Sequence, residues 1–234
     1  MQQSSTISGF SLPVSVSAIV IDLDGTMLHT APELCESANR MLRDMDYAPV
    51  SQELLASYIG NGISWLVKRA LTGDMHATPD AALYDHALPI FEKHYTELLL
   101  QSKPFGGVIA GLDAMQAAGF RMGCITNKVE RYTLPLLKGV GLAKYFDIVL
   151  AGDTLPEKKP HPMPLLHAAK HFNIPIERLL LVGDSLSDTV AARAAGCPVF
   201  CVPYGYNHGE PVETLELDAV IKDLTGVLPL IKRV

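Results

Sequence analysis

The stretch AIVIDLDGTMLHTAPEL, residues 18–34, runs four apolar residues straight into two aspartates, Asp22 and Asp24, which stand two positions apart just ahead of Gly25 and Thr26. An apolar, β-branched run without polar alternation reads as a strand buried on both faces, the kind found in the middle of a parallel sheet. Carboxylates at the end of such a strand are costly unless a cation or hydrogen bonds compensate them. On an extended chain, residues two apart start on the same side, so Asp22 and Asp24 are predicted to face one place together.

Working outward, short apolar runs at 18–23, 121–126, 147–150, 179–182 and 199–202 are mostly separated by segments of helical periodicity. That alternation predicts a parallel sheet with helices on both faces, which takes its ligands at the carboxyl ends of the strands. Asp22, Asp24, Thr126, Asn127 and Asp184 all fall at those ends. From about Pro32 to Lys103 the pattern is helical throughout. Ser51 and Thr78 are the expected N-caps, with Pro79 at the favoured first helical position. Leu83, Ala87, Ile90, Phe91, His94, Tyr95, Leu98 and Leu99 form one stripe. KPFGGV, residues 103–108, reads as the hinge that returns the chain to the sheet. The expected fold is therefore α/β, a Rossmann-like parallel-sheet core (18–30 and 104–234) with a helical cap (31–103) inserted after the first strand. Residues 1–17 are expected to be a flexible leader.

Composition narrows the function. The chain has 234 residues, 48% of them hydrophobic, and a formal net charge of −6. No basic stripe exists to displace counterions from a phosphate backbone, which argues against nucleic acid as a partner. No apolar run reaches the roughly eighteen residues of a membrane span, and the N-terminal residues lack the basic and apolar regions of a signal peptide. Cys35, Cys124, Cys197 and Cys201 form no CxxC pair and are expected to be small buried hydrophobes in a reducing compartment. A cytoplasmic location follows as an expectation.

Asp22, Asp24, Asp184 and Asp188 come from two strand ends that can be neighbours. Two like charges about 4 Å apart at an effective dielectric of about 20 repel by about 4 kcal/mol, so the cluster predicts a bound cation. All-oxygen ligation with few carboxylates suits Mg²⁺. Thr126, Asn127 and Lys159 are suited to a phosphoryl group: a hydroxyl, an amide and backbone N–H groups at a strand-to-helix turn, plus a fixed positive charge. Lys158 competes for the lysine role. In the insertion, Gly60, Asn61 and Gly62 precede a helix and can turn free N–H groups toward the crevice, with Lys68 or Arg69 as nearby cations for a carboxylate. Trp65, with Leu66 and Leu71, is expected to be cap core, and His161, His167 and His171 to be surface or packing residues.

Four motifs in order, DLDGT at Asp22, TNK at Thr126, KKPHP around Lys159 and GDSLSD at Gly183, make the chain resemble the haloacid dehalogenase superfamily of phosphatases. YIGNGISWLVKRAL, TNK and YGYNHGEPV are similar to the bacterial phosphoglycolate phosphatases within it. Where that family often reads Asp-Ser, this chain has His29 and Thr30. The resemblance implies that Asp22 is the nucleophile and Asp24 the general acid and base. It also implies Mg²⁺ held by Asp22, the Asp24 carbonyl and Asp184, a phosphoryl group held by Thr126, Asn127 and Lys159, and support from Gly25, Ser185 and Asp188. The implied reaction is hydrolysis of a small phosphate monoester through an aspartyl-phosphate, with 2-phosphoglycolate foremost. The alternatives are sugar phosphates, nucleotides, pyrophosphate or a phosphosugar mutase. A phospho-Asp receiver domain is the non-enzymatic alternative, disfavoured because it needs neither the insertion nor the second acid.

Overall fold

The computed structural model describes residues 10–234. Of the expected leader, 1–9 lie outside the described residues, whereas β1 (Val14–Val16) is a strand that pairs in parallel with the C-terminal β10 (Ile231–Arg233). Val14 and Val16 are both buried, so this part of the leader is fixed by packing the sequence pattern did not disclose. Then follow β2 (Ala18–Ile21), β3 (Leu28–His29), four helices α1 (Ala31–Asp44), α2 (Gln52–Ser57), α3 (Ile63–Thr72) and α4 (Ala81–Leu98), and β4 (Lys103–Pro104). After them α5 (Val108–Ala117), β5 (Arg121–Ile125), α6 (Glu130–Gly139), β6 (Ile148–Leu150), α7 (Met163–Phe172), β7 (Leu179–Gly183), α8 (Leu186–Ala195), β8 (Val199–Cys201) and β9 (Ala219–Val220) complete the alternation.

The main sheet has the order β6-β5-β2-β7-β8-β9, and every neighbouring pair is parallel. All four residues of β2 are fully buried, as a central strand between two helical layers requires. Ile19 and Ile21 face one core with Leu112, Met115 and Leu136, while Ala18 and Val20 face the other with Leu165, Ala168 and Ala191. From β2 the chain passes through the insertion to β5 and β6 on one side, then crosses back to β7, β8 and β9 on the other. The carboxyl end of β2 is therefore the switch point, where a crevice opens between diverging connections.

The insertion is carried on a two-stranded antiparallel ribbon, with Leu28 opposite Pro104 and His29 opposite Lys103. Of the expected hinge at 103–108, Lys103 and Pro104 are thus strand. Ser51 caps α2 by accepting a hydrogen bond from Leu54 N–H. Thr78 does not cap α4. Asp80 does, through Ala82 N–H, and its carboxylate also suits the positive end of the helix better than a hydroxyl. Ala87, Phe91, Tyr95, Leu98 and Leu99 of the predicted stripe are buried, while Leu83, Ile90 and His94 lie at its half-buried margin. All four cysteines are free and buried. No helix among the described residues is long and apolar enough to cross a membrane.

Candidate active site

The carboxyl ends of β2 and β7 bring Asp22, Asp184 and Asp188 together, with one carboxylate oxygen from each lying within 4.8 Å of the others. Lys159 Nζ enters the same cluster, 2.9 Å from Asp22 Oδ1 and 2.7 Å from Asp188 Oδ1, and it donates to the carbonyl of Ile125. Lys159 is thus the lysine that reaches the acidic cluster; Lys158, its competitor, donates its Nζ to the Asn61 carbonyl instead. Burial would lower the Lys159 pKa, but Asp188 and then Asp22 hold the ammonium above its ordinary value. Burial pushes the Asp22 carboxyl up to about 7, with Lys159 opposing and Asp188 and Asp24 adding to the rise. Asp184 rises well above its ordinary value, again first by burial and then by Asp22 and Asp188. Three acids against one ammonium leave an excess of negative charge that a divalent cation relieves.

The oxygens differ in how far they are already committed. Asp184 Oδ1 accepts from Thr26 Oγ1 at 2.6 Å and Oδ2 from Tyr206 N–H at 2.6 Å, which fixes its plane. Asp188 is spent on structure. Its Oδ1 takes Lys159, and its Oδ2 takes Ser185 N–H and Oγ in the capping box of α8, as well as Asp184 N–H. Asp22 Oδ1, by contrast, is buried with no hydrogen bond of good geometry, its contact with Lys159 being ionic. An oxygen-only set in which Asp22 Oδ1 has only the ionic contact of Lys159 fits Mg²⁺. Gly25 sits at φ +86°, and a Cβ there would come within 2.3 Å of Asp184 Oδ2, so only glycine lets the two loops approach.

Beside this cluster lies a second one. Lys128 Nζ donates to both oxygens of Asp24, at 2.9 and 3.1 Å, and stands 5.1 Å from the ring centroid of Tyr95 on α4. Burial would pull the Lys128 pKa down, but Asp24 and Tyr95 raise it. Thr126 is buried, its N–H tied into the sheet and its Oγ1 accepting from Lys128 N–H, which leaves the hydroxyl proton available to the cavity it lines. Asn127 departs from expectation in its side chain: Nδ2 donates to the carbonyls of Lys159 and Gly60, so the amide joins the sheet loops to the insertion instead of facing a phosphate.

A cavity lies between these groups and the insertion. Leu34, Ile59, Gly60, Gly62, Ile63 and Leu66 form its insertion side. Gly62 holds φ +91°, and a Cβ would press within 3.3 Å of Lys158 Nζ and 3.4 Å of the Asn127 carbonyl. The Asn61 side chain turns away and accepts from Arg69 Nη2. Arg69 is itself bonded to the Tyr58 and Met75 carbonyls, and Lys68 lies over the rings of Trp65 and Tyr84. Of the predicted insertion contacts Gly60 and Gly62 line the cavity and Asn61 does not. The cations expected from α3 are packed elsewhere because they have aromatic faces and carbonyls to satisfy.

Lys128 and Tyr206 are among the cavity residues that escaped the sequence reading. Lys128 stands inside the quoted TNK, and Tyr206 inside YGYNHGEPV; neither position alone says which acid it will meet. The Tyr206 hydroxyl accepts from Ala31 N–H and lies 2.9 Å from His29 Nδ1, so the His29 and Thr30 segment is tied to the loop that holds Asp184. His161, His167 and His171 are exposed, and Trp65 does not line the cavity.

A family model described as haloacid dehalogenase-like hydrolase matches residues 19–202. A phosphoglycolate phosphatase of Thiobacillus denitrificans is 56% identical over 215 residues, covering 92% of this chain and 95% of its own. One from Nitrosospira multiformis is 51% identical over 222 residues, covering 94% and 98%. A crystal structure of a predicted phosphoglycolate phosphatase from Haemophilus somnus superposes with a TM-score of 0.84 at 31% identity, covering 91% of this chain and 96% of that one.

Proposed function

The chain belongs to the haloacid dehalogenase-like hydrolases, and on that premise we propose that it is a Mg²⁺-dependent phosphatase that splits 2-phosphoglycolate into glycolate and phosphate. The observation that carries the chemistry is the pairing of Asp22 and Asp24 at the switch point, one beside the open acidic cluster and the other beside Lys128. The substrate is suggested by the names of relatives that align with this chain over nearly its whole length. Sugar phosphates, nucleotides and pyrophosphate are competing substrates for the same chemistry.

Asp22, the Asp24 backbone carbonyl and Asp184 would hold Mg²⁺. Bound there, it would offset the repulsion between carboxylate and phosphate. The Asp22 carboxylate attacks phosphorus, forming an acyl phosphate as the ester P–O bond breaks. Asp24 gives its proton to the departing alkoxide, then takes one from the water that attacks the acyl phosphate and frees Asp22. Lys159 and the Thr126 hydroxyl stabilise the transferring group, whose loose transition state asks mainly for positioned charge and donors. Asp188 and Ser185 keep Lys159 and the α8 start in place, and Gly25 permits the close loop. Asn127 acts through its backbone and as the tie to Gly60.

Residues 31–103 are proposed to move as a cap on the β3–β4 ribbon, opening for substrate and closing over it. The test is a comparison of kcat/KM for 2-phosphoglycolate, sugar phosphates, nucleotides and pyrophosphate, measured as free phosphate with Mg²⁺ and with excess EDTA. Highest kcat/KM on phosphoglycolate and no turnover in EDTA are expected. Isomerised sugar phosphate without phosphate release would make the protein a mutase.

A further inference from the structure

The described cations that could meet a substrate carboxylate are few. Lys159 is committed to the phosphoryl end, where Asp188 and the Ile125 carbonyl fix it, and Lys68 and Arg69 are turned into the insertion. Lys128 lines the cavity, and its one ionic anchor is the carboxylate of Asp24. Both Asp24 oxygens are occupied by that ammonium, yet Asp24 must reach the ester oxygen to serve as acid and base. Something has to take the ammonium off Asp24 as substrate arrives.

We propose that Lys128 is the carboxylate receptor that sets substrate specificity: its ammonium passes from Asp24 to the leaving-group carboxylate, and Asp24 is thereby freed to face the ester oxygen. This rests on the phosphoglycolate reading given above. The reach is right, because in such a substrate the carboxylate carbon is two bonds from the ester oxygen. An Asp24 oxygen within hydrogen-bond distance of that ester oxygen thus keeps Lys128, one further hydrogen bond away, beside the carboxylate. The face of Tyr95 holds the ammonium through the exchange, since a cation over an aromatic ring keeps a partner while its anion changes. A substrate without an anion near the ester oxygen would leave Lys128 on Asp24.

The experiment compares kcat/KM for 2-phosphoglycolate and for ethyl phosphate, the same ester without the carboxylate charge, in the wild type and in Lys128→Met. The variant is expected to lose roughly 10- to 100-fold more on phosphoglycolate than on ethyl phosphate, the range for one hydrogen bond to a charged group. Equal losses on the two esters would overturn the proposal while leaving the phosphoglycolate reading intact. A wild type that does not prefer phosphoglycolate would overturn both. Should Lys128→Met fail to fold, a crystal structure of the wild type with Mg²⁺ and 3-phosphonopropionate decides: Nζ on the carboxylate of the analogue supports the proposal, and Nζ still holding both Asp24 oxygens overturns it.

Discussion

Two lysines, each almost wholly buried, face two aspartates that are neighbours but one in sequence, and they are held in opposite ways. Lys159 has three anchors, the Ile125 carbonyl, Asp188 and Asp22, and two of them belong to the framework. Lys128 has Asp24 and the face of an aromatic ring. The difference teaches which charge is built in and which is exchangeable. On the proposed roles, the phosphoryl group common to all substrates would meet a cation that cannot leave, and the variable part of the substrate one that can.

The largest effect should come from the acid beside Lys159. Asp22→Asn removes the nucleophile without changing shape, and kcat is expected to fall by more than about 10⁴-fold on every ester, with folding retained. Phosphate release by the purified variant checks this, provided mass spectrometry shows the amide intact. The acid beside Lys128 should behave selectively. Asp24→Asn is expected to lower kcat by about 10²- to 10⁴-fold on alkyl esters and less on p-nitrophenyl phosphate, whose leaving group needs little protonation. Equal losses on both esters would place Asp24 outside proton transfer and erase the contrast between the two acids.

The side of this contrast that the sequence disclosed is the Lys159 side. β2 was legible because a strand buried on both faces is apolar at every position, and its acids stand where the apolar run stops. Lys159 and Asp184 were legible from their places in ordered motifs. Lys128 was not, since its partner Asp24 lies 104 residues away and a lysine after Thr-Asn is unremarkable until the loops are folded together. The same holds for Val14–Val16, whose partner strand is at the far end of the chain, and for Asn61, which a nearby arginine captured before it could face the cavity. Local pattern reports what a residue buries; it does not report which distant charge it meets.

A stability measurement sharpens the fixed half. Asp188 is fully buried and joins Lys159 to the start of α8, so Asp188→Asn leaves a buried ammonium short of its framework partner. A loss of about 3 kcal/mol or more in urea unfolding is expected. If Asp188→Asn costs no more stability than Lys128→Met, whose partner Asp24 can take up water in the cavity, the two lysines are held alike and the distinction fails.

The smallest effect tests whether Lys128 serves any acid besides Asp24. Glu33, in the first turn of α1, is buried, and its Oε1 has no hydrogen-bond partner. Burial lifts its carboxyl from 4.5 to about 7; a backbone hydrogen bond and then Lys128 pull it down, and Asp24 adds to the rise. A carboxyl raised in the folded state stabilises fully below its unfolded pKa, and that contribution is lost as pH climbs through the folded value. The window is therefore pH 4.5 to about 7. Glu33→Gln keeps the shape and cannot ionise, so its stability relative to the wild type should grow across that window, by up to about 3 kcal/mol, and level off above it. Unfolding both proteins in urea between pH 4 and pH 8 and taking the difference cancels the other titrating groups. A rising difference means Glu33 has no cation of its own and Lys128 belongs to Asp24 alone. A flat one means Glu33 ionises in the ordinary range with Lys128 as its partner, which would give Lys128 a second fixed anchor and make it resemble Lys159 after all.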